Sequence, residues 1–72
     1  MDMIDRMIAT REDEDETQRD LEKAIGYHHV QIANYERRKN KPPIEYLIAF
    51  CNHYRVSADY ILGLPKSYKW PR

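Results

Sequence analysis

The sequence is short of the residues that staple, interrupt or flatten a chain. Its 72 residues include one cysteine, so no disulfide can close within the chain, which suits a reducing compartment. There is no Asn-Gly or Asp-Gly pair and no sustained alternation of apolar and polar residues, so hairpins and sheets lack their usual signals. The longest apolar run, Tyr46 to Cys51, is far shorter than the roughly 20 residues that cross a bilayer as a helix. The N-terminus has neither the basic start nor the continuous apolar stretch of a signal peptide. No repeat and no low-complexity linker interrupts the chain. These absences predict a soluble, cytoplasmic protein that does not enter a membrane. At this length it forms one small domain with a marginal core, which regular helix packing or self-association would help.

What is present is charge, and it is segregated. Formal net charge is +0, yet acids crowd the first third, with the unbroken run Glu12-Asp13-Glu14-Asp15-Glu16. Bases crowd Arg37 to Lys41 and the tail (Lys66, Lys69, Arg72), so the whole-chain charge says little about any one face.

Helical signals recur along the chain. Ile4, Met7, Ile8 and Arg11 share one face of a first helix that runs to about the acidic run. Thr17-Gln-Arg-Asp20 has the pattern of a capping box opening a second helix, with Leu21, Ala24 and Ile25 inward. Gly26 breaks that pattern as a left-handed residue past a helix end would. A third helix restarts near His28, with Ile32 and Tyr35 inward. Pro42-Pro43 separates it from a fourth, whose apolar stripe is Leu47, Phe50, Cys51 and Tyr54. Ser57 caps a fifth, with Val56 and Ile61 placed as a hydrophobic staple, and Gly63 ends it. The expected fold is all-α, a compact five-helix domain over residues 1–64. Residues 65–72 form a tail without periodicity, a candidate dimerisation extension.

Helix, tight turn at Gly26, helix is the helix-turn-helix layout, whose second helix can lie in the DNA major groove. Here the sequence resembles the Cro/C1-type (XRE-like) helix-turn-helix regulators of bacteria and their phages. Gln18, Leu21, Gly26, Ile32, Tyr35 and Glu36 fall in that family's "SQ..LA...G.....I..YE" pattern. "KNKPP" and "IEYLIAFCNHYRVSADYILG" are similar to its ending. The resemblance covers roughly Met7 to Gly63 and implies a lambda-repressor-like domain, usually dimeric, that binds double-stranded operator DNA and regulates transcription. It implies no cofactor, no catalysis and no small-molecule substrate.

Carried over position by position, the resemblance puts a recognition helix at about residues 28–36. Its base-reading residues are His29, Val30, Gln31 and Asn34. Gln and Asn can pair bidentately with adenine, Val can touch a thymine methyl, and His can donate to guanine. Gln18, Arg37, Arg38, Lys39 and Lys41 are placed for phosphates. The bland reading of the basic cluster is a solvated loop before a proline stop; its place after a helix-turn-helix favours phosphate. Arg11 and Glu36 match a partly buried ion pair of the family, which would fix orientation more than add stability.

Some positions depart from the pattern. Glu22 stands where a small residue is usual, Arg38 where a left-handed glycine is usual, and Thr10 and Glu16 where apolar residues are usual. His28 replaces a Ser or Thr cap, so the third helix is expected to lack a good one. Together these predict low stability for the isolated domain and keep a second reading open: a protein-interaction module on the same fold that no longer binds DNA. Its contact surface would be the acidic run or Tyr68 and Trp70. Those two aromatics fit equally a dimer interface with Tyr60 and Leu64, or a frayed end. The acidic run reads as a solvated face or as a device that weakens non-specific DNA binding.

No metal site is expected. Neighbouring helical residues diverge by roughly 100° around the axis, so His28 and His29 cannot easily share an ion. Cys51 and His53 have the same fault, and Cys51 reads as a small core residue.

Overall fold

The computed structural model describes residues 1–65. The tail readings on Lys66, Tyr68, Lys69, Trp70 and Arg72 lie outside the described residues. Five helices follow in order: α1 Met3–Asp13, α2 Gln18–Ile25, α3 His29–Glu36, α4 Ile44–Tyr54 and α5 Ala58–Leu62. No strand occurs among the described residues.

Local chemistry sets most of the helix ends. Asp2 and Thr17 each cap a helix reciprocally with the acid three residues on: Asp2 with Asp5, and Thr17 with Asp20. Ser57 Oγ accepts from the Asp59 amide at 3.1 Å. Gly26 and Gly63 close α2 and α5 in the left-handed region, at φ +80° and +72°. A Cβ at Gly26 would meet nothing within 4 Å, so glycine serves there for its φ rather than for room. At Gly63 both matter, since a Cβ would lie 3.1 Å from Arg6 Nη2. Arg6 lies across that gap and donates to the Ile61 carbonyl, tying α1 to α5.

Leu21, Ile32, Phe50 and Ile61 are fully buried, one from each of α2 to α5, and Ile4 and Met7 close the core from α1. Tyr46 is the hub. Tyr35 of α3 and Tyr27 of the α2–α3 turn both meet its ring edge-on, at 4.7 and 5.1 Å between centroids. Phe50 and Tyr54 continue the stack along α4. Edge-to-face pairs of this kind add roughly 0.5–1.5 kcal/mol each beyond the area they bury. They also fix how α3 sits on α4. Tyr46 was not part of the apolar stripe read from the sequence. Ala24, expected inward, is exposed: Leu21 and Ile25 alone bury that side of α2.

Two of the departures have found partners in the core region. Thr10 is buried, and its hydroxyl donates to the Arg6 carbonyl at 2.8 Å, so it occupies an apolar slot without an unpaired group. Glu16 is half-buried, with its carboxylate 2.9 Å from His53 Nε2.

Candidate nucleic-acid interface

Three contacts build the head of α3. His28 is its N-cap, at φ −59° and ψ 141°. Its Nδ1 accepts from the Val30 amide at 3.2 Å, and its own amide donates to Gln31 Oε1 at 3.2 Å. Glu22 reaches over from α2, and its Oε2 accepts from the His29 amide at 2.9 Å. That hydrogen bond is the main reason its carboxyl stays below the ordinary range. The expectation that α3 lacks a good cap is therefore corrected: a histidine does the work of a serine, and a glutamate from the other helix adds a second acceptor. The long residue in the small-residue slot is half-buried and reaches across the turn instead of turning to solvent.

The expectation that His28 and His29 cannot face one ligand is also corrected. It assumed that both lie within a helix. With His28 outside it, the two rings stack at 4.4 Å and 28°. Ligand atoms of Glu22, His28 and His29 come within 4.8 Å of one another.

From this head, α3 turns Ile32 and Tyr35 into the core and leaves Val30 and Gln31 exposed, Val30 at 48 %. His29 and Asn34 are half-buried beside them. Asn34 Oδ1 accepts from Arg37 Nη2 at 3.3 Å, which leaves the amide hydrogens of Asn34 free to donate elsewhere. Gln31 Oε1 retains a second lone pair after accepting from His28.

The far end of α3 is tied to α1. Arg11 Nε and Nη2 donate to the two carboxylate oxygens of Glu36 at 2.8 and 2.9 Å. The two side chains are only 11 % and 13 % exposed. Gln18 Nε2 donates to the same carboxylate at 2.9 Å, and Arg11 Nη1 donates to the Glu16 carbonyl at 2.7 Å. One node thus joins α1, the start of α2 and the end of α3. The hydrogen bond to Glu36 raises the pKa of Arg11 further above its already high value. One of the two amide hydrogens of Gln18 is engaged in this node, which leaves one for a phosphate.

Beyond Glu36 the basic residues divide. Arg38 takes the left-handed conformation at φ +63°. Its guanidinium turns back onto Asp2 and Asp5, with contacts of 2.8–3.2 Å. The side chain in the glycine slot therefore clamps the start of α1 and is not presented freely. Arg37, Lys39 and Lys41 are exposed, and none of them forms an ion pair among the described residues. The acidic run lies at the other end of the face. Glu12 and Asp15 border an open depression of about 650 Å³ with Gln18, Arg19 and His29.

Of the residues singled out from sequence, His29, Val30, Gln31 and Asn34 lie on α3, and Arg37, Lys39 and Lys41 follow it. Gln18 and Arg38 are held by acids. The structural roles of Glu22, Tyr46 and Arg6 had no local signal, because each acts on an element distant in sequence.

The helix-turn-helix family model matches residues 9–61. The chain is 40 % identical over 48 residues to the uncharacterized HTH-type transcriptional regulator YobD of Bacillus subtilis (strain 168). That match takes in 67 % of this chain and 43 % of YobD, so the chain spans less than half the length of this curated relative. Among solved structures, the fold is similar to the P22 c2 repressor protein in complex with synthetic operator 9T, crystallised with Tl+. The TM-score is 0.77 at 32 % identity, covering 86 % of this chain and 94 % of that one.

Proposed function

The chain belongs to the helix-turn-helix family, and from that membership we propose that it binds double-stranded operator DNA in a sequence-specific way as a non-catalytic transcriptional repressor. The observation that carries this reading is the division of α3. Its apolar residues Ile32 and Tyr35 are spent on the core, while the adjacent face offers Val30, Gln31, Asn34 and His29 outward. Those side chains can complement base edges in the major groove. The similarity to a repressor held on its operator supports the same placement.

In this reading Arg37, Lys39 and Lys41 hold the backbone. Gln18 contributes by its place at the first turn of α2, where unpaired amides favour an anion. Arg38 acts indirectly, by fixing the loop that carries Lys39 and Lys41. The acidic run repels phosphates beside Gln18 and so weakens binding to unrelated sequence. Tyr60, Leu62 and Leu64 are exposed at the end of α5 and support a homodimer through that end. Half-sites would then repeat after about 34–36 Å. No helix among the described residues is long and apolar enough to cross a membrane, and the site of action is the cytoplasm, where DNA is reached directly.

The test is a titration of the chain with fluorescent random duplex and with duplexes selected from a random pool, at low and high salt. Salt-sensitive binding with a clear preference for selected sequences supports the proposal. No binding to either, even at low salt, would pass the case to the interaction-module reading.

A further inference from the structure

We propose that Glu22, His28 and His29 form a binding site for a single zinc-class divalent ion at the turn between α2 and α3. Ions of this class favour imidazole nitrogen joined by a carboxylate oxygen. Zinc sites with three protein ligands leave a further position for water, and these half-exposed side chains leave that position open.

The geometry is close to what such an ion needs. Zinc–ligand bonds of 2.0–2.2 Å at tetrahedral angles put ligand atoms about 3.3–3.5 Å apart. Glu22 Oε2 already lies 3.4 Å from His29 Nδ1. Glu22 Oε2 lies 3.9 Å from His28 Nε2. The remaining closure falls to His28, the most exposed of the three, with 60 % of its side chain open to solvent. Both short distances thus run to Glu22 Oε2, which also accepts from the His29 amide; a carboxylate oxygen has a second lone pair, so it can ligate and keep that amide. That amide contact then serves as an outer-shell support of the kind that orients metal ligands.

The metal-free hydrogen bonds define what the ion displaces. Arg19 Nη2 has only protons to offer His29 Nε2, 3.4 Å away. In the neutral ring the proton therefore sits on Nδ1, facing Glu22. His28 Nδ1 accepts from Val30, so its proton sits on Nε2. To ligate through the facing nitrogens, each neutral ring moves its proton to the other nitrogen, with no net proton released. His28 then gives up the Val30 amide, and Arg19 swings away from His29. Local charges bear on the ion in opposite senses: Glu22 attracts it, while Arg19 and the positive end of α3 oppose it. The expected affinity is thus micromolar rather than that of a buried structural site.

The experiment uses the untagged 72-residue chain, titrated with Zn2+ by calorimetry and with Co2+ by visible absorption. The proposal expects one ion per chain, with a dissociation constant on the order of micromolar, and a d–d spectrum of low coordination number. His28→Ser keeps a good N-cap and so keeps the fold, yet removes a ligand. It and Glu22→Gln should each weaken binding about tenfold or more, by analogy with losses at metal sites. Arg19→Ala should tighten binding. His53→Ala, on α4 and outside the ligand set, should leave it unchanged. Saturable binding that survives His28→Ser, or is lost in His53→Ala, would overturn the site. So would a thiolate charge-transfer band, which would assign the ion to Cys51, or no saturation by about 1 mM.

Discussion

Glu22 on α2 accepts a hydrogen bond at 2.9 Å from the backbone amide of His29, the first residue of α3. The contact crosses the turn at Gly26, so the carboxylate ties the angle between the two helices to the order of the second. Removing it should loosen the head of α3 specifically. Glu22→Ala should lower Tm by a few degrees and speed amide exchange at His29 and Val30, read by NMR. Glu22→Gln keeps an acceptor and should fall between. Unchanged exchange at those two amides in Glu22→Ala would show that the cap does not operate in solution.

The Arg11–Glu36 pair is well buried and hydrogen-bonded at both ends. Removing one partner strands the other, and the cost should be about 3–5 kcal/mol. Glu36→Ala also orphans Gln18 and should be more harmful than Arg11→Ala. An apolar double replacement, Arg11→Met with Glu36→Leu, should recover much of the loss, because no charge is then left without a partner. Chemical denaturation of the three variants checks this. A double variant no more stable than Glu36→Ala would mean that the node does more than satisfy itself.

Acid should unfold the domain through its capping carboxylates. The guanidinium of Arg38 holds Asp2 well below its ordinary range, at about 2 against 3.8. The Thr17 amide lowers Asp20, and the His29 amide lowers Glu22. All three have folded values below their unfolded ones. Their contribution is therefore complete above the ordinary carboxylate range and is lost as pH falls through about 4 toward 2. Asp2→Asn should be slightly less stable at pH 7 and should lose stability less steeply over that window. Parallel pH profiles for wild type and Asp2→Asn would remove the Asp2–Arg38 contact from the account.

The acidic run should hold back non-specific binding. Asp15→Asn and Glu12→Gln each remove one charge from the rim of the depression that His29 shares. At about 10 Å in water one charge is worth roughly 0.4 kcal/mol. Each change should thus tighten random duplex about twofold at low salt, with the gain fading as salt screens it. A selected site should gain by the same factor, since the effect acts on phosphates. No gain on either duplex would return the run to a merely solvated face.

Much of the fold was legible because helix ends are written locally. The Thr17–Asp20 box, Gly26 and Ser57 each carry their own cap chemistry. What failed was whatever depends on a partner distant in sequence or on one residue of register. Ala24 is small enough to sit on either face. Tyr46 was missed because its burial depends on Tyr27 and Tyr35 arriving from another element. The His28–His29 argument used the spacing of neighbours within a helix although His28 stands at the cap position, and the cap geometry reversed the conclusion about the two imidazoles. Arg38 and Glu22 looked like defects because their partners, the start of α1 and the amide of His29, are set only once the helices have packed.

The central claim is that α3 reads bases while the residues after it hold the backbone, and one comparison separates those roles. Fluorescence-anisotropy titrations of wild type, Asn34→Ala and Lys41→Ala would be run on a selected duplex and its scrambled counterpart across a salt series. Asn34→Ala should cost roughly 1–3 kcal/mol on the selected duplex and little on the scrambled one. Lys41→Ala should weaken both about equally and lower the slope of log affinity against log salt by about 0.9. Equal losses on both duplexes for Asn34→Ala, with an unchanged salt slope for Lys41→Ala, would contradict it.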